Sequence, residues 1–406
     1  MTDVRSRQRW YVLGLGSLIV MVAYGTSNAC MPVLFSEIAG KLDLNIVQLG
    51  SVWGLGPVAG IFSILMAGVV VDRFGVRRTM VLTCLLAGIF GALRGLSDSF
   101  LTLMITSLLF GFASEAVPVV FIKSASLWFH GRGLGTAQGI GSACVGGGMM
   151  LGALLSATVL SPLLGGWQYV LFLYGGITAL VGVLWFLTVP DPAPSAAAAA
   201  IPGQHTPQRA IGHVIRTRGV WLVALAMMGF AGGNRGFSGY LPLYLRNRGW
   251  TPAAADGSMA ALAASGTAAA VPLSLASDRL GSRKVMLLPG LLVTAISVGL
   301  LSVVTGPAAW LLAVLAGLFR DMIWAVAATM VVETDGIGPE YAGTAVGIVH
   351  ASSRVGYAFS PSAGNSLVAI NAGLPFVFWA VLAAAALLAF SFVKETGQGR
   401  QHRAAV

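Results

Sequence analysis

The chain has 406 residues, of which 56% are hydrophobic and 9% charged, with a net charge of +10. A water-soluble surface takes roughly 25% charged residues, so a soluble globular protein is excluded and most of the surface must face lipid. Long apolar runs then read as helices, because a bilayer offers no partners to backbone groups, and the short alternating segments of a membrane β-barrel are absent.

A spanning helix needs about 20 apolar residues. The sequence predicts twelve, near 11–32, 47–71, 79–97, 101–128, 135–160, 166–189, 219–244, 256–277, 285–304, 307–332, 343–368 and 373–393. The arginine-rich stretch from Met1 to Trp10 precedes an apolar run too long for a cleaved leader, so that run is expected to be the first span. Between the sixth and seventh spans lie Pro190, Pro192 and Pro194, an alanine run, then Pro202, Gly203 and Pro207. This composition predicts a solvated linker. The expected organisation is a six-helix bundle at 1–189, a linker at 190–218 and a second six-helix bundle at 219–406.

Orientation follows from lysine and arginine in the short connections. With the N-terminus inside, 16 fall on the cytoplasmic side, against four (Lys41, Arg94, Arg246 and Arg248) outside. Both termini are therefore expected in the cytoplasm, with the chain crossing a bacterial inner membrane many times. The same asymmetry accounts for the net charge, so nucleic acid is not an expected partner. Arg94 is expected at the interface. Cys30, Cys84 and Cys144 lie in apolar runs without metal-ligand spacing and read as packing residues. No nucleotide-phosphate loop, catalytic triad, metal cluster or cofactor motif is present in the sequence.

The two halves repeat. Gly68-Val-Val-Val-Asp72-Arg73-Phe-Gly75-Val-Arg77-Arg78 after the second span matches Ser274-Leu-Ala-Ser-Asp278-Arg279-Leu-Gly281-Ser-Arg283-Lys284 after the eighth, at an offset of 206. Gly135-Thr-Ala-Gln-Gly139-Ile140 matches Gly343-Thr-Ala-Val-Gly347-Ile348 at 208, and Asn28 matches Asn234 at 206. Six spans per repeat preserve orientation, which predicts two pseudo-symmetric bundles about an axis normal to the membrane, with a path between them.

Gly68, Asp72, Arg73, Gly75, Arg77 and Arg78 resemble the signature loop of the major facilitator superfamily, with a weaker copy at Asp278 and Arg279. The resemblance covers the whole chain. It implies an all-α membrane fold of twelve helices, a monomer, and a transporter alternating between inward-open and outward-open states. It also implies that the loop latches the cytoplasmic side. Physically, Gly68 and Gly75 would allow close helix approach and a tight turn. Asp72 would pair with arginines or cap a helix N-terminus. In that superfamily spans one, four, seven and ten line the cavity, with two, five, eight and eleven beside them.

Ionisable groups at membrane depth mark substrate or proton pathways. They are Glu115 in span four, Arg235 in span seven, Arg320 and Asp321 in span ten, and Arg354 in span eleven. Three positive and two negative charges leave a surplus that a bound anion would neutralise, and the planar guanidinium fork suits carboxylate, nitrate or phosphate oxygens. Arg320 and Arg354 are the expected anion ligands, with Arg235 assisting. Asn28, Asn234, Tyr24 and Tyr357 could add hydrogen bonds, and Trp324, one turn after Arg320, could wall the site. Glu115 and Asp321 are candidates for proton coupling. His350 shares a face with Arg354 and could titrate. Neighbours on a regular helix point about 100° apart, so Arg320 and Asp321 are not expected to pair face to face. Lys123 is expected to reach the cytoplasmic interface.

The glycine-rich fifth span is similar to segments of drug/proton antiporters, without their proline, and of nitrate/nitrite porters, without their mid-helix arginines in spans two and eight. In character the chain is nearest to organic-anion porters. The expected function is secondary transport of a small anion, foremost an organic carboxylate, by proton symport or anion exchange. Two alternatives remain open: proton-coupled export of hydrophobic compounds, and a non-transporting receptor on the same scaffold.

Overall fold

The computed structural model describes residues 2–129, 132–190, 207–304, 306–337 and 339–396, and among them all regular structure is helical. The first helix runs as Thr2–Ile19, a π-helical turn Val20–Thr26, and Ser27–Leu42. The second is Ile46–Phe74 and the third Val76–Leu93; the fourth is Phe100–Ser114 continued by Ala116–Trp128. The fifth, Arg132–Leu155, ends in a π-helical turn Ser156–Leu160 and a last turn Ser161–Leu164, and the sixth is Trp167–Thr188. A short helix, Pro207–Arg216, precedes the seventh, Arg218–Asn247, the eighth, Pro252–Leu280, and the ninth, Arg283–Leu300. The tenth is Ala308–Leu318 continued by Arg320–Val332, the eleventh Pro339–Ser366 and the twelfth Leu374–Phe392. Ten helical stretches among the described residues are long and apolar enough to cross a membrane. The seventh and eleventh, interrupted by Arg235 and Arg354, complete the twelve. Of the expected linker, 191–206 lie outside the described residues.

The first helix continues past Pro32, where the sequence suggested an end. Proline removes the N–H that Asn28 would accept from, but Val33, Leu34, Phe35 and Ile38 are all buried beyond it. Packing therefore outweighs the local break. Capping boxes at Asn45 with Gln48 and at Ser99 with Thr102 start the second and fourth helices. The turns after the second and eighth helices use Gly75 at φ 81° and Gly281 at φ 64°. That left-handed region favours glycine, and the offset of 206 expected from the sequence recurs in the backbone.

The chain forms two compact units, Met1–Ala200 with Leu241–Ala263, and Ile201–Tyr240 with Ala264–Val406. In the first, the fifth-helix glycines seat the π-helical turn of the first helix: a Cβ at Gly148 would lie 2.2 Å from the Met21 carbonyl oxygen, and one at Gly152 2.6 Å from that of Thr26. The Thr26 hydroxyl donates to the Met21 and Gly148 carbonyls. In the second unit, Phe230, Met322, Ile323 and Phe390 anchor an apolar core.

Candidate functional site

The second unit brings most of the expected site residues together. Arg235, from the seventh helix, and Arg354, from the eleventh, lie over the same ring of Tyr357, at 5.6 and 5.4 Å from its centroid. A guanidinium against a ring uses its flat face, and its N–H donors lie along the edge, in the geometry that matches a planar oxyanion. Beside Arg235, Asn234 is half-buried and its Nδ2 has no hydrogen-bond partner among the described residues. From the tenth helix, Arg320 interacts electrostatically with Tyr357. Trp324 stacks on His350, with centroids 5.4 Å apart and 12° between the planes, and His350 feels the charge of Arg354, one turn away. The cluster thus contains three guanidiniums and one carboxylate, Asp321.

Contrary to the helical-neighbour expectation, Arg320 and Asp321 do pair. Arg320 Nε donates to Asp321 Oδ1 at 2.8 Å and Nη2 to Oδ2 at 3.1 Å. The tenth helix breaks at Phe319 (φ −95°, ψ −8°) and restarts at Arg320, and the long arginine chain folds back onto its neighbour's carboxylate. Gly266 of the eighth helix borders the pair; a Cβ there would lie 3.2 Å from Asp321 Oδ2 and 3.4 Å from Arg320 Nη2.

The fourth helix breaks in the same way at Glu115, which ends one segment and starts the next. Glu115 and Arg320 are 205 residues apart (320 − 115), close to the repeat offset, so both halves place an ionisable group at an interrupted helix. At the fourth-helix break, Pro118 lacks the N–H that the Ser114 carbonyl would accept from, whereas no proline lies near the break at Phe319, so only the first was legible in the sequence. Glu115 is 4% exposed and packs on Gly60, whose Cβ would come within 2.5 Å of Glu115 Cγ. Also in the first unit, Asn28 Nδ2 donates to the Tyr24 carbonyl at 2.9 Å, bracing the π-helical turn in which Tyr24 sits.

Around the signature loop, Asp72 pairs with Lys123 of the fourth helix at 2.9 Å rather than with an arginine, and it caps no helix: Gly75 stands at that N-cap without a side-chain bond. Lys123, which the sequence assigned to the interface, is thus the ion-pair partner of Asp72. A Cβ at Gly68 would meet nothing within 4 Å, so close approach does not explain that glycine. Arg77 donates through Nε and Nη2 to the Phe186 carbonyl at 2.8 and 2.6 Å, tying the third helix to the end of the sixth. Arg73 lies over the Phe74 ring and Arg78 is exposed. In the second copy Arg279 is exposed and the side chain of Asp278 lies outside the described residues. There the Glu395 carboxylate accepts from Ser282 Oγ at 2.6 Å and from the backbone N–H groups of Arg283 (2.8 Å) and Lys284 (3.2 Å), capping the ninth helix.

Arg94 is not interfacial. It is 2% exposed, stacks 3.6 Å from the Phe110 centroid and reaches the Gly91 and Ser27 carbonyls at 3.4 Å. Its position near a span end suggested solvent; partners on the first and fourth helices bury it instead.

The family model described as Major Facilitator Superfamily matches residues 16–273 and 258–405. The chain belongs to the Major Facilitator Superfamily. Within it, the chain is 30% identical over 265 residues to a protein of Thermus thermophilus named probable nitrate/nitrite antiporter, covering 63% of this chain and 58% of the relative. It is 22% identical over 202 residues to an Escherichia coli (strain K12) protein named probable galactarate/D-glucarate transporter, covering 47% of this chain and 43% of that one. The chain thus spans about half the length of the curated relatives it matches. Among solved structures, it resembles a bacterial homologue of the human lysosomal transporter Spinster, in an inward-facing and occupied conformation, with a TM-score of 0.72, 16% identity, and coverage of 95% of this chain and 94% of that one.

Proposed function

We propose that this facilitator-superfamily protein is a secondary transporter, not an enzyme, that carries a small oxyanion, foremost an organic carboxylate, by alternating access across a bacterial inner membrane with both termini in the cytoplasm. One observation carries the reading: two guanidiniums from different helices converge on the ring of Tyr357. The planar N–H fork of a guanidinium suits the paired oxygens of a carboxylate or nitrate. Asn234 Nδ2, without a partner among the described residues, supplies a further donor. The two named relatives are both described by anions, which supports the same substrate class.

Coupling follows from Arg320 and Asp321. An anion that engages Arg320 competes with Asp321 for the same guanidinium, and the released carboxylate is then better placed to take a proton. Glu115, buried at the matching break in the other half, is the second candidate for proton transfer. Substrate and proton would then move together, or one anion would exchange for another.

A thermal-shift panel tests this. Purified protein is melted with mono- and dicarboxylates, nitrate, phosphate and lipophilic cations, and again as Arg354→Gln and Arg235→Gln. A ligand of the folded state raises the midpoint with occupancy. The reading expects stabilisation by one anion class, lost in both variants. Stabilisation by cations or neutral compounds alone, unchanged in the variants, would overturn it in favour of export of hydrophobic compounds.

A further inference from the structure

The seventh and eighth helices join through residues 248–251 at the end that the lysine and arginine distribution assigns to the outside. This hairpin, Leu241–Ala263, belongs to the first unit, whereas the rest of both helices belongs to the second. Its Leu243, Met259 and Ala260 pack in one core with Phe35, Trp53 and Trp167. At the margin of that core sits Asp256, with 0% exposure. Arg246, ten residues earlier in the hairpin, reaches both carboxylate oxygens through Nη2 at 2.7 and 2.5 Å. Thr158, in the π-helical end of the fifth helix, donates its hydroxyl to Asp256 Oδ2 at 3.1 Å. Three residues on, Ser161 donates to the carboxylate of Glu37 in the first helix.

The division of charge is informative. Both members of the ion pair lie on the hairpin, so the hairpin carries its own neutralisation. The bond that Asp256 makes to the fifth helix is to a hydroxyl. Separating a buried ion pair leaves an uncompensated charge and is strongly unfavourable, whereas giving up one hydroxyl bond to a group that water can rehydrate is not. The apolar part of the contact includes Met259, an unbranched side chain that repacks readily.

We propose that Asp256 is a positioning residue for transport: its carboxylate, fixed by Arg246, holds the outer hairpin to Thr158, and the hairpin leaves the fifth helix as an intact unit whenever the outer face opens. The proposal rests on the transport reading, so its test includes a readout that needs no substrate.

A single cysteine, Ala260→Cys, is placed in a background with Cys30, Cys84 and Cys144 replaced by serine, and its labelling by a membrane-impermeant maleimide is followed from outside. Ala260 is 3% exposed, so labelling reports hairpin release. Thr158→Val keeps the shape and the ion pair but removes the hydroxyl, and labelling is expected to rise about tenfold, the scale of one hydrogen bond to a charged group. Thr158→Ser should keep the original rate. An unchanged rate in Thr158→Val would overturn the proposal whatever the substrate proves to be. As a second measurement, Ala157→Cys with Ala260→Cys, which sit in the same core on the fifth-helix end and the hairpin and leave Thr158, Arg246 and Asp256 in place, is joined by a reducible bifunctional thiol reagent. The joined protein should lose at least tenfold of its flux and regain it on reduction. Full flux while joined would also overturn the clamp.

Discussion

Gly148→Ala is the sharpest test of how the first helix is seated. The added methyl would lie 2.2 Å from the Met21 carbonyl oxygen and 3.0 Å from its carbon. Non-bonded contacts settle near 3.5 Å, so the first helix would have to retreat by about 1 Å, a displacement that forfeits roughly a quarter to a half of each affected dispersion contact. The hydrogen bond from Thr26 to the Gly148 carbonyl would stretch with it. Overpacking of this kind costs about 1–3 kcal/mol. Alanine also gains about 0.8–1 kcal/mol of helix propensity over glycine. Gly147→Ala isolates the packing cost, because a Cβ at Gly147 meets nothing within 4 Å and the propensity gain is the same. Gly148→Ala should therefore fall below Gly147→Ala by roughly 1–3 kcal/mol, a few degrees in melting midpoint, read by thermal unfolding of the two variants in one detergent. Equal midpoints would refute the seating of the π-helical turn on the glycine face.

Three further outcomes are expected. Tyr357→Phe keeps both guanidinium–ring contacts and should bind anion within about twofold of the original, while Tyr357→Ala loses two contacts of about 0.5–1 kcal/mol each, or roughly 5- to 30-fold in affinity, measured by ligand-dependent thermal shift. Asp321→Asn leaves the Arg320 charge without its carboxylate and should lower the ligand-free midpoint by about 1–2 kcal/mol for this partly exposed pair, with saturating anion recovering part of the loss. Lys123→Met breaks the pair with Asp72 but, both being partly exposed, should change stability by less than about 1 kcal/mol; if the pair is a latch, the turnover rate in reconstituted vesicles changes instead.

The number of helices was readable because lipid demands long apolar runs, and the duplication because Asp72 and Asp278, Gly75 and Gly281, and Asn28 and Asn234 keep one spacing. What escaped depends on contacts between distant segments or on irregular backbone. The pairing of Arg320 with Asp321 defies a rule that assumes an unbroken helix. Asp256 sits at the start of an apolar run and looked like an end-of-span residue, and its partner Arg246 looked like a topology signal. Glu395 lay just beyond the last span and gave no hint that it caps the ninth helix. Arg94 was placed at the interface by its position in the span, and it is buried by an aromatic ring, that of Phe110, 16 residues on in the next helix. In each case the sequence carried the residue type, and the tertiary partner carried the role.

The central claim is that the guanidiniums around Tyr357 hold a transported anion. It is tested most directly in proteoliposomes loaded with an unlabelled carboxylate or nitrate, by following uptake of the same labelled anion in the original protein and in the double variant Arg235→Gln with Arg354→Gln. Saturable exchange that the double variant abolishes, while the variant remains folded, is the predicted result. Exchange at the original rate in the double variant, or exchange confined to lipophilic cations, would contradict the account.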